Sequence, residues 1–299
     1  MTAMPSITHT LKTKGLKGAI FRAASLIDRY GFTSDKMERN ILSMAKLLEK
    51  YDAVATLPVT AKTLENNSSF MKDISDKGIE LAIHGYRHID YSRLSAIEQS
   101  RSIKKSIEIF NMNEIKPSGF RGPYLQANDD TLNALKENGL IYDSSHTIDW
   151  NVVSEDHIGK NIASYNLALK LYQPWNAETN CLPESVNGLV RIPVSLPDDE
   201  ILIDRLKINN EEILTKIWLN VMEKVDRSGG VFVLQLHPER IRFTISSLER
   251  LLIEADKRDI WVTSMKDLAI KWARNNKLDE GQRALCVTGD IDIMSLWDY

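Results

Sequence analysis

From Ala53 to about Ala273, short β-rich runs alternate with longer segments of helical period, and this alternation constrains the fold more than any other feature of the 299-residue chain. The strand candidates are AVATLPV from Ala53, IELAIHG from Ile79, SGFRGPY from Ser118, LIYDSS from Leu140, VRIPVS from Val190, VFVLQLH from Val231 and IWVTS from Ile260. One more, GAIF, begins at Gly18 and would come first. Between the strands, residues 92–110, 129–138, 211–228, 244–258 and 265–275 repeat apolar side chains every three to four positions. In 211–228, Ile213, Ile217, Val221 and Val225 form one face, while Glu212, Lys216, Glu223 and Lys224 form another. Asp129 and Asp130 open their helix as first-turn acids should, and Gly139 stops it. Repeated alternation of this kind means parallel strands joined by right-handed crossovers. Seven or eight repeats within about 250 residues predict one α/β domain closed as a (β/α) barrel, with its chemistry at the C-terminal ends of the strands. An open doubly wound sheet fits less well, because neither GxGxxG nor GxxxxGK[ST] stands at any strand-to-helix turn.

The barrel is placed at residues 21–274, with an N-terminal extension over 1–20 and a C-terminal docking tail over 275–299. Residues 143–189 hold Trp150, Tyr165, Tyr172 and Trp175 with little period. They read equally as a substrate-covering loop or as a segment whose aromatics pack it onto the barrel. Charge narrows the partners: 38 Lys+Arg against 41 Asp+Glu leave a net charge of −3. That is no footprint for nucleic acid or an anionic membrane. No window reaches the ~20 apolar residues of a membrane span, and Lys12, Lys14 and Lys17 interrupt any secretory apolar stretch. These features point to a cytoplasmic protein, and Cys181 and Cys286 read as small buried hydrophobes.

Three strand ends carry candidate chemistry. IELAIHG runs into His84-Gly85-Tyr86-Arg87-His88, whose HxxxH spacing can converge two imidazoles on one metal. SGFRGPY presents Arg121, Pro123 and Tyr124 at a turn, the arginine being unable to lose its proton. VFVLQLH ends in His237.

In these three stretches, IELAIHGYRHIDYSRLS, GFRGPYLQANDDTLNALKENGLIYDSS and VFVLQLHPER, the chain resembles the polysaccharide deacetylases, the NodB-homology group of carbohydrate esterases. The resemblance covers about Phe21 to Trp272. It implies a distorted (β/α)7 barrel and metal-assisted removal of an N-acetyl group from an amino-sugar-containing saccharide or its precursor. By the same resemblance, His84 and His88 would be ligands of a divalent metal, usually zinc. His237 would be the general acid, and Arg121 would orient the catalytic carboxylate. Tyr124 would contribute its backbone amide to the oxyanion, with Pro123, Tyr86 and Trp150 beside it as substrate-binding candidates.

The departure is at the first motif. The family ends its first strand with two adjacent aspartates, one acting as base and one as metal ligand, and the corresponding stretch FRAASLIDRYGFT has no such pair. Asp28 can stand in for either aspartate, or Ala24-Ser25 can occupy the place of the pair. Two histidines alone leave zinc one protein ligand short of the usual catalytic three. The carboxylates that could complete the site are Asp198 and Asp199 in Pro197-Asp198-Asp199-Glu200, then Asp28, and Asp90 after the histidine motif. Asp143 reads as a turn former or a substrate hydrogen-bonder. The missing pair also keeps open a metal-independent hydrolase of a non-peptide C–N bond, resembling the allantoinases, and a catalytically silent glycan-binding barrel.

Overall fold

The computed structural model describes residues 27–295 and residue 298. Its strands, in chain order, are β1 (Ala55–Val59), β2 (Glu80–Ile83), β3 (Gly119–Phe120), β4 (Tyr142–Asp143), β5 (Thr147–Asp149), β6 (Trp175–Asn176), β7 (Glu184–Val186), β8 (Leu189–Arg191), β9 (Val194–Leu196), β10 (Val231–Leu236), β11 (Trp261–Val262) and β12 (Ala284–Gly289). Strands β4 and β5 are two pieces of one extended segment, and β8 and β9 are two pieces of another. The two segments run parallel side by side, from Tyr142 against Val190 to Asp149 against Leu196. β3 flanks the first segment and β10 the second, and the path β10-β12-β1-β2-β3 joins them. Among the described residues the ring therefore has seven parallel staves, the distorted (β/α) barrel that the alternation predicts. Strand β7 makes an antiparallel hairpin with β8 outside the ring.

The distortion has a local cause. Between the pairs Asp143/Arg191 and Thr147/Val194, the first segment carries residues 144–146 and the second only 192–193. One extra residue on one side is a β-bulge, which breaks the ladder and bends the segment. His146 sits in it.

Three sequence expectations meet a different arrangement. VRIPVS and LIYDSS are only parts of the two interrupted staves. IWVTS contributes just β11, which borders the lower half of β12 at Ala284 and Leu285 while β1 borders the upper half at Val287 and Thr288. The segment expected as a docking tail supplies β12, fully buried between β10 and β1. A strand covered on both faces loses the in-out alternation of a surface strand, so ALCVTG reads as a plain apolar run. The candidate strand at 18–21, the extension at 1–20 and Ala24-Ser25 lie outside the described residues.

Helices cover the ring. Asp35–Lys50 packs on the barrel through Met37, Ile41, Met44 and Leu48. Ala96–Met112 is started by a reciprocal Ser95/Glu98 capping box, and Asp129–Glu137 by Asn128 and Thr131. Glu211–Ser228 buries Ile217, Val221 and Val225 as its period predicts, together with Trp218. Its end is set by Gly229 at φ 71°, a left-handed position that glycine adopts without strain. Among the described residues, no helix is long and apolar enough to cross a membrane. Trp150, expected as a substrate platform, is 1% exposed and donates its indole N–H to Ser195 Oγ at 3.1 Å; it belongs to the core. Cys181 and Cys286 are free and buried.

Gly119 lets β3 lie against the ring of Tyr142, where a Cβ would sit 2.1–2.3 Å from the aromatic carbons. Overpacking of this kind costs about 1–3 kcal/mol. Gly119→Ala should therefore lower the unfolding free energy from a denaturant titration by that amount.

Candidate active site

The C-terminal ends of the strands surround a cavity of about 440 Å³. Into it come His84 and His88 after β2, Tyr124 after β3, Gln235 and His237 from the end of β10, and Asp290 and Asp292 after β12. The bridge between Val59 and Ile291 carries extended pairing one step past β12, with Ile291 N–H donating to Pro58 O at 2.7 Å. In extended backbone, residues i and i+2 share a face. Ile291 accordingly goes into the core at 0% exposure, while Asp290 and Asp292 both reach the cavity.

His84 Nδ1 lies 2.7 Å from Arg121 O, so that nitrogen carries the proton and Nε2 is left with its lone pair. Nε2 stands 3.4 Å from Asp292 Oδ1, and His88 Nε2 stands 3.5 Å from the same oxygen. The three ligand-type atoms lie within 4.8 Å of one another. Asp292 Oδ1 is buried without a hydrogen-bond donor, although burial opposes its ionisation and His88 and His84 hold its carboxyl well below the usual range. An ionised, buried oxygen with no donor, facing two imidazole nitrogens, fits a divalent cation.

Arg121 is 0% exposed and holds the second carboxylate. One guanidinium nitrogen donates to Asp290 Oδ1 at 2.8 Å and to Thr288 Oγ1 at 2.9 Å, while Nε and the other nitrogen reach Ser144. Gln235 Nε2 donates to Asp290 Oδ2 at 2.8 Å, so both oxygens of Asp290 are fixed. His237 is held in the same way: Asp199 Oδ2 accepts its backbone N–H at 2.7 Å, and Asp199 Oδ1 lies 2.5 Å from Nδ1. Burial would push the imidazole down, but Asp199 outweighs it and raises His237 well above its ordinary value. Its proton is kept at neutral pH.

The structure thus brings together His84, His88, Arg121, Tyr124, Asp199 and His237. Tyr124 stands in the left-handed region at φ 61°, followed by Leu125 at φ 54°, and its ring meets His88 edge-on at 4.4 Å. Two consecutive non-glycine residues in that region are held by their surroundings, as is common at functional sites.

Other candidates lie elsewhere. Asp28 is exposed on the helical turn at 27–30. Asp198 is buried behind the cavity, with Oδ1 accepting from Ile201 N–H; burial, then Glu200 and Asp199, raise it to about 8. Asp90 caps the turn Tyr91–Arg93 and pairs with Arg93. Asp143 accepts from Ser145 Oγ and acts as a turn former. Tyr86 lies under Lys105 outside the cavity wall, and Pro123 is buried in the turn below Tyr124.

Sequence reasoning missed Asp290, Asp292 and Gln235. The carboxylate pair was sought before Ala53, on a first strand. In a closed ring, however, the place beside β1 belongs equally to the last strand. The signal was present as an apolar run, ALCVTG, followed by Asp-x-Asp.

A family profile described as polysaccharide deacetylase matches residues 32–142. Two curated relatives agree: a peptidoglycan deacetylase-like protein of Gibberella zeae, 36% identical over 75 residues, and a peptidoglycan deacetylase of Helicobacter pylori, 30% identical over 109 residues. Over residues 32–142 the chain is similar to the polysaccharide deacetylase family. The matched parts are 25% and 36% of this chain, and they span only 22% and 37% of the two relatives. The profile match contains both histidines and Arg121 and stops before His237, Asp290 and Asp292. In fold, the chain is similar to a Mycobacterium smegmatis structure described as a polysaccharide deacetylase, with TM-score 0.64, 20% identity and coverage of 91% of this chain and 86% of that one. It is also similar in fold to PuuE allantoinase, with TM-score 0.60, 16% identity and coverage of 79% and 72%.

Two measurements test the geometry of this site. With Asp199 in place, His237 should stay protonated past pH 7 in an NMR titration. In Asp199→Asn the strongest opponent of burial is lost, leaving only Glu239 and Asp290 to oppose it, and the midpoint should fall. Because the folded value is the higher one, the stability contributed by this pair is complete below about pH 6.5 and is lost as pH rises through the folded value. Arg121→Met, which strands Asp290, should cost about 3–5 kcal/mol in denaturant unfolding.

Proposed function

We propose that the protein is a metal-dependent hydrolase that removes an N-acetyl group from an amino-sugar-containing saccharide. The observation that carries this reading is the buried Oδ1 of the half-buried, ionised Asp292, set 3.4–3.5 Å from the Nε2 atoms of His84 and His88. Asp290 lies beside it, clamped by Arg121 and Gln235.

His84, His88 and Asp292 would hold a divalent ion, zinc by the nature of two imidazoles and a carboxylate, and the ion supplies Lewis acidity toward the acetyl carbonyl and toward water. Asp290 is the base that takes the proton of the attacking water. Arg121 and Gln235 keep its carboxylate aimed, each donating a hydrogen bond to one of its oxygens. His237, protonated by virtue of Asp199, gives its proton to the departing amine nitrogen. Tyr30, Tyr124 and Tyr172 supply aromatic wall to the cavity, as a sugar ring requires.

The metal-independent and catalytically silent alternatives rest on a missing carboxylate pair, and Asp290 and Asp292 offer such a pair. The near-neutral net charge of −3 suits an uncharged acetylated sugar.

Acetate release from oligomers of N-acetylglucosamine, measured with and without added Zn²⁺, tests the proposal. Asp290→Asn should lower kcat by about 10²–10⁴-fold while retaining metal by elemental analysis. Asp292→Ala should lose both metal and turnover. A metal-stripped preparation that keeps full activity would overturn the metal mechanism. Turnover by Asp290→Asn at the wild-type rate would remove Asp290 from the role of base.

A further inference from the structure

A second cavity, of about 190 Å³, opens on the outside of the barrel at the bulge, and it shares no lining residue with the first. Its back is His146, the extra residue of the bulged stave. Its side is Trp175 of β6, whose ring centroid lies 3.6 Å from that of His146 and which remains 42% exposed. Around them stand Asn180, Leu182, Glu184 and Arg191. His146 Nε2 is buried and has no hydrogen-bond partner.

We infer that this outer cavity is a second saccharide-binding site, in which a sugar ring stacks on Trp175 and its hydroxyl groups meet the polar groups of Asn180, Glu184 and Arg191.

Each group narrows the ligand. Arg191 is already paired with Glu184 at 2.6 Å, and its guanidinium carbon lies 5.9 Å from the Trp175 ring centre. No uncompensated charge waits for an anion or a cation, so the ligand is neutral. Burial, then Arg191, lowers His146 to about 4, which leaves a neutral imidazole at physiological pH. An exposed indole face beside the planar polar groups of Asn180, Glu184 and Arg191 matches a pyranose, which has C–H faces and a rim of hydroxyls.

The positions are held firmly. Trp175 pairs with Ile148 of β5, and β5 pairs with β9, the stave that leads into Asp198 and Asp199. A chain gripped here is therefore gripped by the barrel wall itself. The site rests on the proposed saccharide substrate: it would hold a distant part of the same chain, adding affinity for long substrates and nothing for short ones.

The test uses ¹⁵N-labelled full-length protein and the hexamer of N-acetylglucosamine. The Trp175 indole and His146 ring resonances should shift on titration, in wild type and in Asp290→Asn alike, and the His146 shifts should vanish in Trp175→Ala. Trp175→Ala should leave kcat/KM on the dimer unchanged and raise KM for long oligomers by about threefold to tenfold, the worth of one aromatic stacking contact. Trp175→Phe should recover most of the loss. If the hexamer shifts only His237 and Tyr124 resonances, or if Trp175→Ala weakens dimer and hexamer equally, the outer site is overturned. It is equally overturned if the patch is a protein interface, seen as a concentration-dependent dimer in sedimentation that Trp175→Ala abolishes. Absence of acetate release from every oligomer, with the Trp175 shifts intact, would remove the proposed hydrolysis and leave the binding site standing.

Discussion

The buried pair of Arg121 and Asp290 is the interaction on which the rest of the site depends. A guanidinium at 0% exposure is tolerable only with its charge matched and its donors used, and here Asp290, Thr288 and Ser144 meet those needs at 2.8–3.2 Å. The pair ties the end of β3 to the end of β12 across the barrel mouth. The backbone oxygen of the same arginine accepts from His84 Nδ1, which orients Nε2 toward Asp292. One residue thus fixes a carboxylate with its side chain and an imidazole with its main chain, so the two halves of the constellation cannot be displaced independently.

A second arrangement repeats this logic on the opposite wall. Asp199 holds His237 through both backbone and ring. The wall therefore carries a proton that burial alone would expel, while past β12 the imidazoles of His88 and His84 hold the Asp292 carboxyl ionised. Opposite proton states within one cavity are what acid-base hydrolysis of an amide asks for. They arise from partners rather than from composition, which is why a net charge of −3 gave no hint of them.

The barrel, its helices and three of its motif-bearing strand ends were legible because each is written locally: period 3.6 against period 2, a capping acid, a histidine just past an apolar run. His84, His88, Arg121 and His237 were found on that basis. Asp199 was named among the carboxylates, but its task was not, because only the fold brings residue 199 to residue 237. Trp150 was misread because an indole looks alike in sequence whether it faces substrate or Ser195 Oγ. Asp290 and Asp292 were missed because ring closure makes the first and last strands neighbours, a relation without any local signature.

That closure also shapes how the protein must be made. The contact between Arg121 and Asp290 spans 169 positions, and β1 and β10 have a free edge toward each other until β12 is inserted between them. Contacts of such long range form late and slowly. Any chain halted before β12 would expose two unpaired edges of buried, largely apolar strands, the configuration most prone to pair with another molecule. The strand that leads into Asp290 and Asp292 is therefore also the one that covers both of those edges, so a fully paired ring is one that already holds its carboxylates.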